Sequence, residues 1–169
     1  FRFDGIDYDD FCGYSVSSGG DLNGDGYDDV IIGAYGAYSE TGESYVVFGK
    51  ALGFDASLNL STLNGTTGFR LEGIASGDES GYSVSSAGDV NGDGFSDVII
   101  GSHFADPGVD NAGESYVVFG NSGGFVASLN LSTLNGTTGF RLEGIDEDDS
   151  SGQSVSSAGD VNGDGYDDV

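Results

Sequence analysis

The chain has 169 residues and sets 29 acidic side chains against 4 Lys and Arg, a formal net charge of −25. Affinity for nucleic acid begins with Lys and Arg on phosphates, and anionic membrane surfaces recruit the same charges, so both are excluded as partners. No apolar run approaches the length of a membrane helix, so direct membrane insertion is not expected, and 11 Phe and 9 Tyr among patterned Val, Ile and Leu argue for a packed core over acidic disorder.

In chain order, the first element is Phe1-Arg2-Phe3-Asp4-Gly5-Ile6, which alternates apolar and charged residues as a half-exposed strand does. It returns as Phe69 to Ile74 and as Phe140 to Ile145. Next comes Gly13-Tyr14-Ser15-Val16-Ser17-Ser18, echoed at Gly81 to Ser86 and Gly152 to Ser157. After an acidic loop, Val30-Ile31-Ile32 and then Glu43 to Gly49 give two further strands, with copies at Val98 to Ile100 and Glu114 to Gly120. Their continuous apolar runs predict strands covered on both faces. The connections 51–68 and 122–139 read as loop with a short strand or turn. The segment Leu58 to Gly68 recurs letter for letter at Leu129 to Gly139.

Self-similarity therefore divides the chain into repeats 1–68, 69–139 and 140–169, the third cut short after its acidic loop. We treat 1–169 as a single segment of one larger architecture. Between the full repeats the main difference is one loop, Ala34 to Gly42 against Ser102 to Gly113, where the only proline, Pro107, stands. Such variability marks a surface loop.

The acidic loop carries the chemistry. Asp21, Asn23, Asp25 and Asp29 stand at loop positions 1, 3, 5 and 9. The same positions hold Asp89, Asn91, Asp93 and Asp97 in the second copy, and Asp160, Asn162, Asp164 and Asp168 in the third. Ca²⁺ takes about six to eight oxygen ligands, and alternate residues of a curled loop can face one ion. Position 7 (Tyr27, Phe95, Tyr166) would contribute its backbone carbonyl, and Gly26, Gly94 and Gly165 at position 6 suit a sharp turn. A plain hairpin turn explains the glycines, since Asn-Gly and Asp-Gly are turn dipeptides. It leaves unexplained three carboxylates and an amide in nine residues, three times over, which would repel one another without a cation.

An EF-hand is excluded, because position 12 is Ile32 or Ile100 where a bidentate Glu is needed, and the exit is β-branched. Nonapeptide calcium repeats recur every nine residues, whereas these loops recur after 68 and then 71. What is expected is a calcium loop joining two strands, with one Ca²⁺ for each loop. Calcium sites of this kind also favour an exported location.

Other candidates read as structural. Cys12 has Ser80 and Ser151 as counterparts and is an incidental small residue, and His103, opposite Tyr35, has a surface or packing role. Gly13-Tyr14-Ser15-Val16-Ser17 misses the nucleophile elbow at its last position. Asp7, Asp9 and Asp10, and Asp146-Glu147-Asp148-Asp149, read as solvated loop charge, so no catalytic residue is assigned. The sequons at Asn59, Asn64, Asn130 and Asn135 matter only in a glycosylating host.

Four strands per repeat of this size fit an all-β fold of β-propeller blades, about two complete blades plus flanking strands of their neighbours. The pattern Gly-Tyr-Ser-Val, Gly-Asp-Val-Asn-Gly-Asp-Gly-x-x-Asp-Val-Ile-Ile-Gly, Tyr-Val-Val-Phe-Gly resembles the FG-GAP repeat. That repeat builds the seven-bladed propeller of integrin α-subunits and many bacterial surface proteins. The likeness departs at Gly33-Ala34-Tyr35 and Gly101-Ser102-His103, and before Gly13, Gly81 and Gly152.

The resemblance implies that the loop joins the first two strands of a blade and that the outermost strand comes last. Phe1–Ile6 would then close a preceding blade, blade one would run from about Gly13 to Ile74, and blade two from about Gly81 to Ile145. Gly152–Ser157 would open a third. It further implies a calcium-stabilised, non-enzymatic adhesion or ligand-binding segment of an extracellular or cell-surface protein of the bacterial kind. Its partner would be a protein or glycan, with contacts to other blades of the same longer chain or head-to-tail self-association. The alternatives are a repeat protein assembling into a surface layer or filament, and an accessory domain of an extracellular enzyme.

Overall fold

The computed structural model describes residues 1–169 and is almost entirely β-structure. Blade one contains β2 (Ser15–Gly20), β3 (Asp29–Ala34), β4 (Glu43–Val47) and β6 (Gly68–Glu72), each antiparallel to its neighbour. Blade two repeats it with β7 (Ser83–Gly88), β8 (Asp97–Ser102), β9 (Glu114–Val118) and β11 (Gly139–Glu143). The acidic loops join the first two strands of each blade, and the outermost strand is last in sequence, as the repeat pattern predicts. These are partial propeller blades; two of them do not close a ring.

The 51–68 and 122–139 connections have a defined role. Each forms a three-residue strand, β5 (Ser57–Asn59) or β10 (Ser128–Asn130), followed by one 3-10 turn. β10 adds in parallel to the outer edge of β6, Leu129 opposite Leu71, so the second repeat straps the first blade. β5 pairs with β1 (Arg2–Asp4) the same way, so β1 stands to β5 as β6 stands to β10. The sequon residues Asn59 and Asn130 are turn caps whose side chains accept the Ser61 and Ser132 N–H groups.

Period-2 alternation sends the two faces of each sheet into different cores. Ile31, Val46 and Phe69 lie in register on one face of blade one, meeting Val98, Ile100, Tyr116 and Val118 of blade two in the largest core. Ile32, Tyr45 and Val47 point the other way, onto Leu60, Leu58 and Phe3. β8 and β9 are buried throughout, as their apolar runs predict. The blades also touch through backbone. A Cβ at Gly33 would stand 2.0 Å from the Gly81 carbonyl oxygen, and one at Gly101 would stand 1.9 Å from that of Gly152.

One expected strand does not form. Gly152–Ser157 carries the letters of β2 and β7 but makes no ladder; isolated bridges flank it, Ser151 to Gly113 and Gly159 to Asp168. In the first two repeats this strand pairs with the six residues after the acidic loop, from Asp29 and from Asp97. In the third only Asp168 and Val169 occupy those positions. A strand without a partner leaves its polar backbone to solvent.

Candidate metal-binding loops

In the first loop the backbone curls around its own carboxylates. Asp21 accepts the N–H of Asp25 at 3.0 Å and of Gly26 at 2.9 Å. Asn23 Oδ1 accepts Asp25 N–H at 2.9 Å, and Asp25 Oδ1 accepts Tyr27 N–H at 3.0 Å. Gly26 sits at φ 86, as do Gly94 and Gly165 at 89 and 93, in the left-handed region that position 6 requires. The second and third loops repeat the pattern around Asp89, Asn91 and Asp93, and around Asp160, Asn162 and Asp164.

Position 9 is different in kind. Asp29, 1% exposed, ties the loop start to the exit of the third strand of its blade by accepting Leu22 N–H at 3.0 Å and Gly49 N–H at 2.8 Å. Asp97 does the same with Val90 and Gly120, both at 2.9 Å. Burial pushes both carboxyls up to about 6. The N–H bonds pull them back, while the carboxylates at positions 5 and 1 push them further up. Asp168 holds only the loop start, through Val161 N–H at 2.9 Å.

As placed, no three acidic side chains converge closely enough to clasp an ion. Each carboxylate is held by N–H donors, and an N–H uses one lone pair of an oxygen that has two. The donor set itself, three carboxylates, an amide oxygen and the position-7 carbonyl of Tyr27, Phe95 or Tyr166, is all hard oxygen and suits Ca²⁺.

In the remaining acidic clusters single members cap turns, and Asp10 is buried where solvated charge was expected. Asp10, Asp78 and Asp149 each accept the N–H three residues back, at 3.1, 3.0 and 2.9 Å. The thiol of Cys12 is half-buried, and burial, then Asp10 and Glu43, pushes it up to about 11, where it is unreactive. His103 is a packing residue, buried between Tyr82 and Phe104, and its burial lowers its proton affinity.

Two features escaped the sequence reading. At the blade end opposite the loops, aromatic rings from several elements form one contiguous stack. Phe11 lies on Tyr35 at 5.0 Å, Tyr35 meets Tyr14 at 4.8 Å, and Tyr14 meets Tyr82 at 5.0 Å. His103 and Phe104 extend it, and Phe11, Tyr14 and Phe104 remain 54%, 55% and 40% exposed. The aromatic letters are visible one by one; only the blade-to-blade approach brings them together.

The second feature is a buried carboxylate. Glu43 accepts the Tyr45 hydroxyl, and its other oxygen lies 3.4 Å from Arg70 Nε without hydrogen-bond alignment. Arg70 also pairs with Glu72 at 2.6 Å, and Ser128 of the strap donates to Glu72. The network recurs more loosely at Glu114, Tyr116, Arg141 and Glu143. Three of the chain's four cations, Arg2, Arg70 and Arg141, hold this one outer-strand position.

Blades of this order, with an acidic loop between the first and second strands, define a propeller-type repeat protein. The FG-GAP repeat family matches residues 13–47 and 80–118, so the chain carries FG-GAP repeats. It is 31% identical to integrin alpha-5 of Xenopus laevis across all of this chain and 15% of the relative. It is 34% identical to integrin alpha-PS5 of Drosophila melanogaster over 63% of this chain and 10% of the relative. To integrin alpha-3 of Cricetulus griseus it is 32% identical over 78% of this chain and 12% of the relative. The chain thus spans about one seventh or less of the relatives it matches. No helix is long and apolar enough to cross a membrane.

Proposed function

We propose that this chain is a calcium-stabilised propeller segment of an exported adhesion or ligand-binding protein, acting by binding and not by catalysis. The observation that carries the reading is the same hard-oxygen donor set in three successive loops, in a chain similar to integrin alpha chains. Asp21, Asn23, Asp25 and Asp29, with the Tyr27 carbonyl, would hold the first ion, and the matching residues of the other loops the second and third. Calcium would neutralise crowded carboxylates and fix the strand pair each loop joins. The exposed aromatic stack at the opposite end is the surface best suited to a protein or glycan partner, because large exposed apolar patches mark interaction sites.

Thermal melts in millimolar calcium and in excess EGTA test the metal. With each ion at about tenfold over its dissociation constant, a site adds roughly 1.4 kcal/mol. Three sites then correspond to a fall of about 10 °C on chelation. An unchanged melt defeats the calcium reading. For the binding face, glycan arrays and purified surface proteins are screened with the chain and with the Phe11→Ser/Tyr14→Ser double variant; a ligand held equally by both lies elsewhere.

A second reading, blades assembling into a layer or filament, has its own support. The outer edges of β1 and β6 are covered by β5 and β10, whereas β11 pairs only with β9. An open edge invites strand addition, from another blade of a longer chain or from a second copy. Light scattering in calcium decides, since a monomeric mass at high concentration removes the second copy.

A further inference from the structure

The calcium loops are not separate devices. Position 8 of the second loop, Ser96, is bonded in both directions to position 1 of the first: Ser96 N–H donates to the Asp21 carbonyl at 3.1 Å, and Asp21 N–H donates to Ser96 Oγ at 3.2 Å. The third loop treats the second the same way, with Asp167 N–H on the Asp89 carbonyl at 3.0 Å and Asp89 N–H on Asp167 Oδ2 at 2.8 Å. Alongside, the position-7 ring of each later loop lies flush against position 4 of the earlier one. A Cβ at Gly24 would stand 2.3 Å from the Phe95 ring, and one at Gly92 would stand 2.3 Å from the Tyr166 ring.

Position 7 is where the backbone carbonyl of each loop would meet its ion, and position 1 is the first carboxylate of the loop before it. The residues that one ion would immobilise are therefore bonded to the peptide that aims the first ligand of the neighbouring site. Loop one is gripped from blade two a second time, by Asn121 N–H on the Leu22 carbonyl at 2.9 Å.

We propose that consecutive acidic loops bind cations cooperatively, with Phe95 and Ser96 acting as positioning residues for the first site and Tyr166 and Asp167 for the second. This rests on the calcium reading above. The loop-to-loop bonds make the order of one site part of the binding free energy of the next, and such coupling typically amounts to about 5- to 150-fold in affinity. Disabling the second loop weakens the first, although no side chain of the second loop is a ligand of the first.

The chain holds no tryptophan, so Tyr27→Trp places a single indole in the first loop to follow calcium or Tb³⁺ there. In the otherwise intact chain the indole signal titrates with the ion. A flat response overturns the calcium reading and this proposal with it. Asp93→Asn then weakens the second loop without touching the first, and the indole midpoint moves to at least fivefold higher ion concentration. A midpoint within twofold, with the indole still responding, overturns the coupling and leaves the calcium reading standing. Ser96→Ala, which removes only the hydroxyl on Asp21 N–H, moves the midpoint in the same direction by less and guards against a folding defect in the carboxylate variant. Circular dichroism of each variant in saturating calcium confirms that the sheet signal is retained; a midpoint shift seen only where that signal is lost counts against the coupling.

Discussion

The first two acidic loops and the third share their donor residues and glycines but not their surroundings. Leu22 at position 2 of the first loop is fully buried in the core between the blades, whereas Val161 at the same position of the third is 72% exposed. Asp29 and Asp97 are buried and join the loop start to the exit of the third strand, while Asp168 is half-buried and holds the loop start alone. The nine-residue pattern thus encodes a loop that can curl around its carboxylates wherever it stands. A blade packed on the next side turns that loop into a fixed structural element.

The largest test of this contrast is at position 2. Leu22→Ala removes a side chain packed in the core and should cost about 2–4 kcal/mol, read as a shift of the denaturation midpoint. Val161→Ala should stay within about 0.5 kcal/mol. Equal effects would mean that the third loop is packed in solution as the first is.

Next in size is position 9. Asp29→Ala and Asp97→Ala each leave one buried and one partly buried N–H group without an acceptor and should cost about 2–3 kcal/mol even in EGTA. Asp168→Ala should cost less than about 1 kcal/mol, because its loop faces water. In calcium the first two variants also lose most of the stabilisation that calcium gives their own loops. If the three behaved alike, the blade clamp would not be what sets position 9 apart.

How much of this was legible follows from the range of each cause. Strands β2 to β4 and β7 to β9 were readable because their alternation and β-branched runs are local. The donor set was readable because its residues stand two apart. Gly152–Ser157 misled because a strand needs a partner, and its letters are the same with or without one. The straps β5 and β10 were read only as a short strand or turn, since three residues carry little periodicity and their parallel partner lies 58 positions away, as for Ser128 and Arg70. The aromatic stack and the Glu43 network share that limit: each joins residues from separate repeats or strands.

The strap gives a smaller comparison. Arg70 is 28% exposed and joined to Glu43, Glu72 and, at 3.4 Å, Ser128 of the strap, whereas Arg141 is 51% exposed and meets only Glu114 and Glu143. Arg70→Ala should cost about 1–2 kcal/mol, partly by leaving Glu43 buried without a cation, and Arg141→Ala should cost about 0.5 kcal/mol. Hydrogen exchange at Ser128–Asn130 is the sharper readout, because loss of Arg70 should loosen β10 from β6 while β3 and β4 stay protected.

The smallest effect lies in the pH dependence of the same network. Burial raises the Glu43 carboxyl above the ordinary glutamate range; the Tyr45 hydroxyl and Arg70 pull it back, and Glu72 and Asp10 push it up. A carboxyl whose folded pKa exceeds its unfolded one binds its proton more tightly in the folded state. Its contribution is therefore present at low pH and is lost as pH climbs from the unfolded to the folded pKa. Stability of the calcium-loaded chain should accordingly decline on this account as pH rises through that window. Glu43→Gln, which keeps an acceptor for Tyr45 and carries no charge to desolvate, should flatten the decline without moving the calcium midpoint of the first loop. Melting curves across the acid range in saturating calcium separate the two. If the slope survived in Glu43→Gln, the decline would belong to the loop carboxylates or to Asp78 and Glu79, which burial also raises, and not to the strap network.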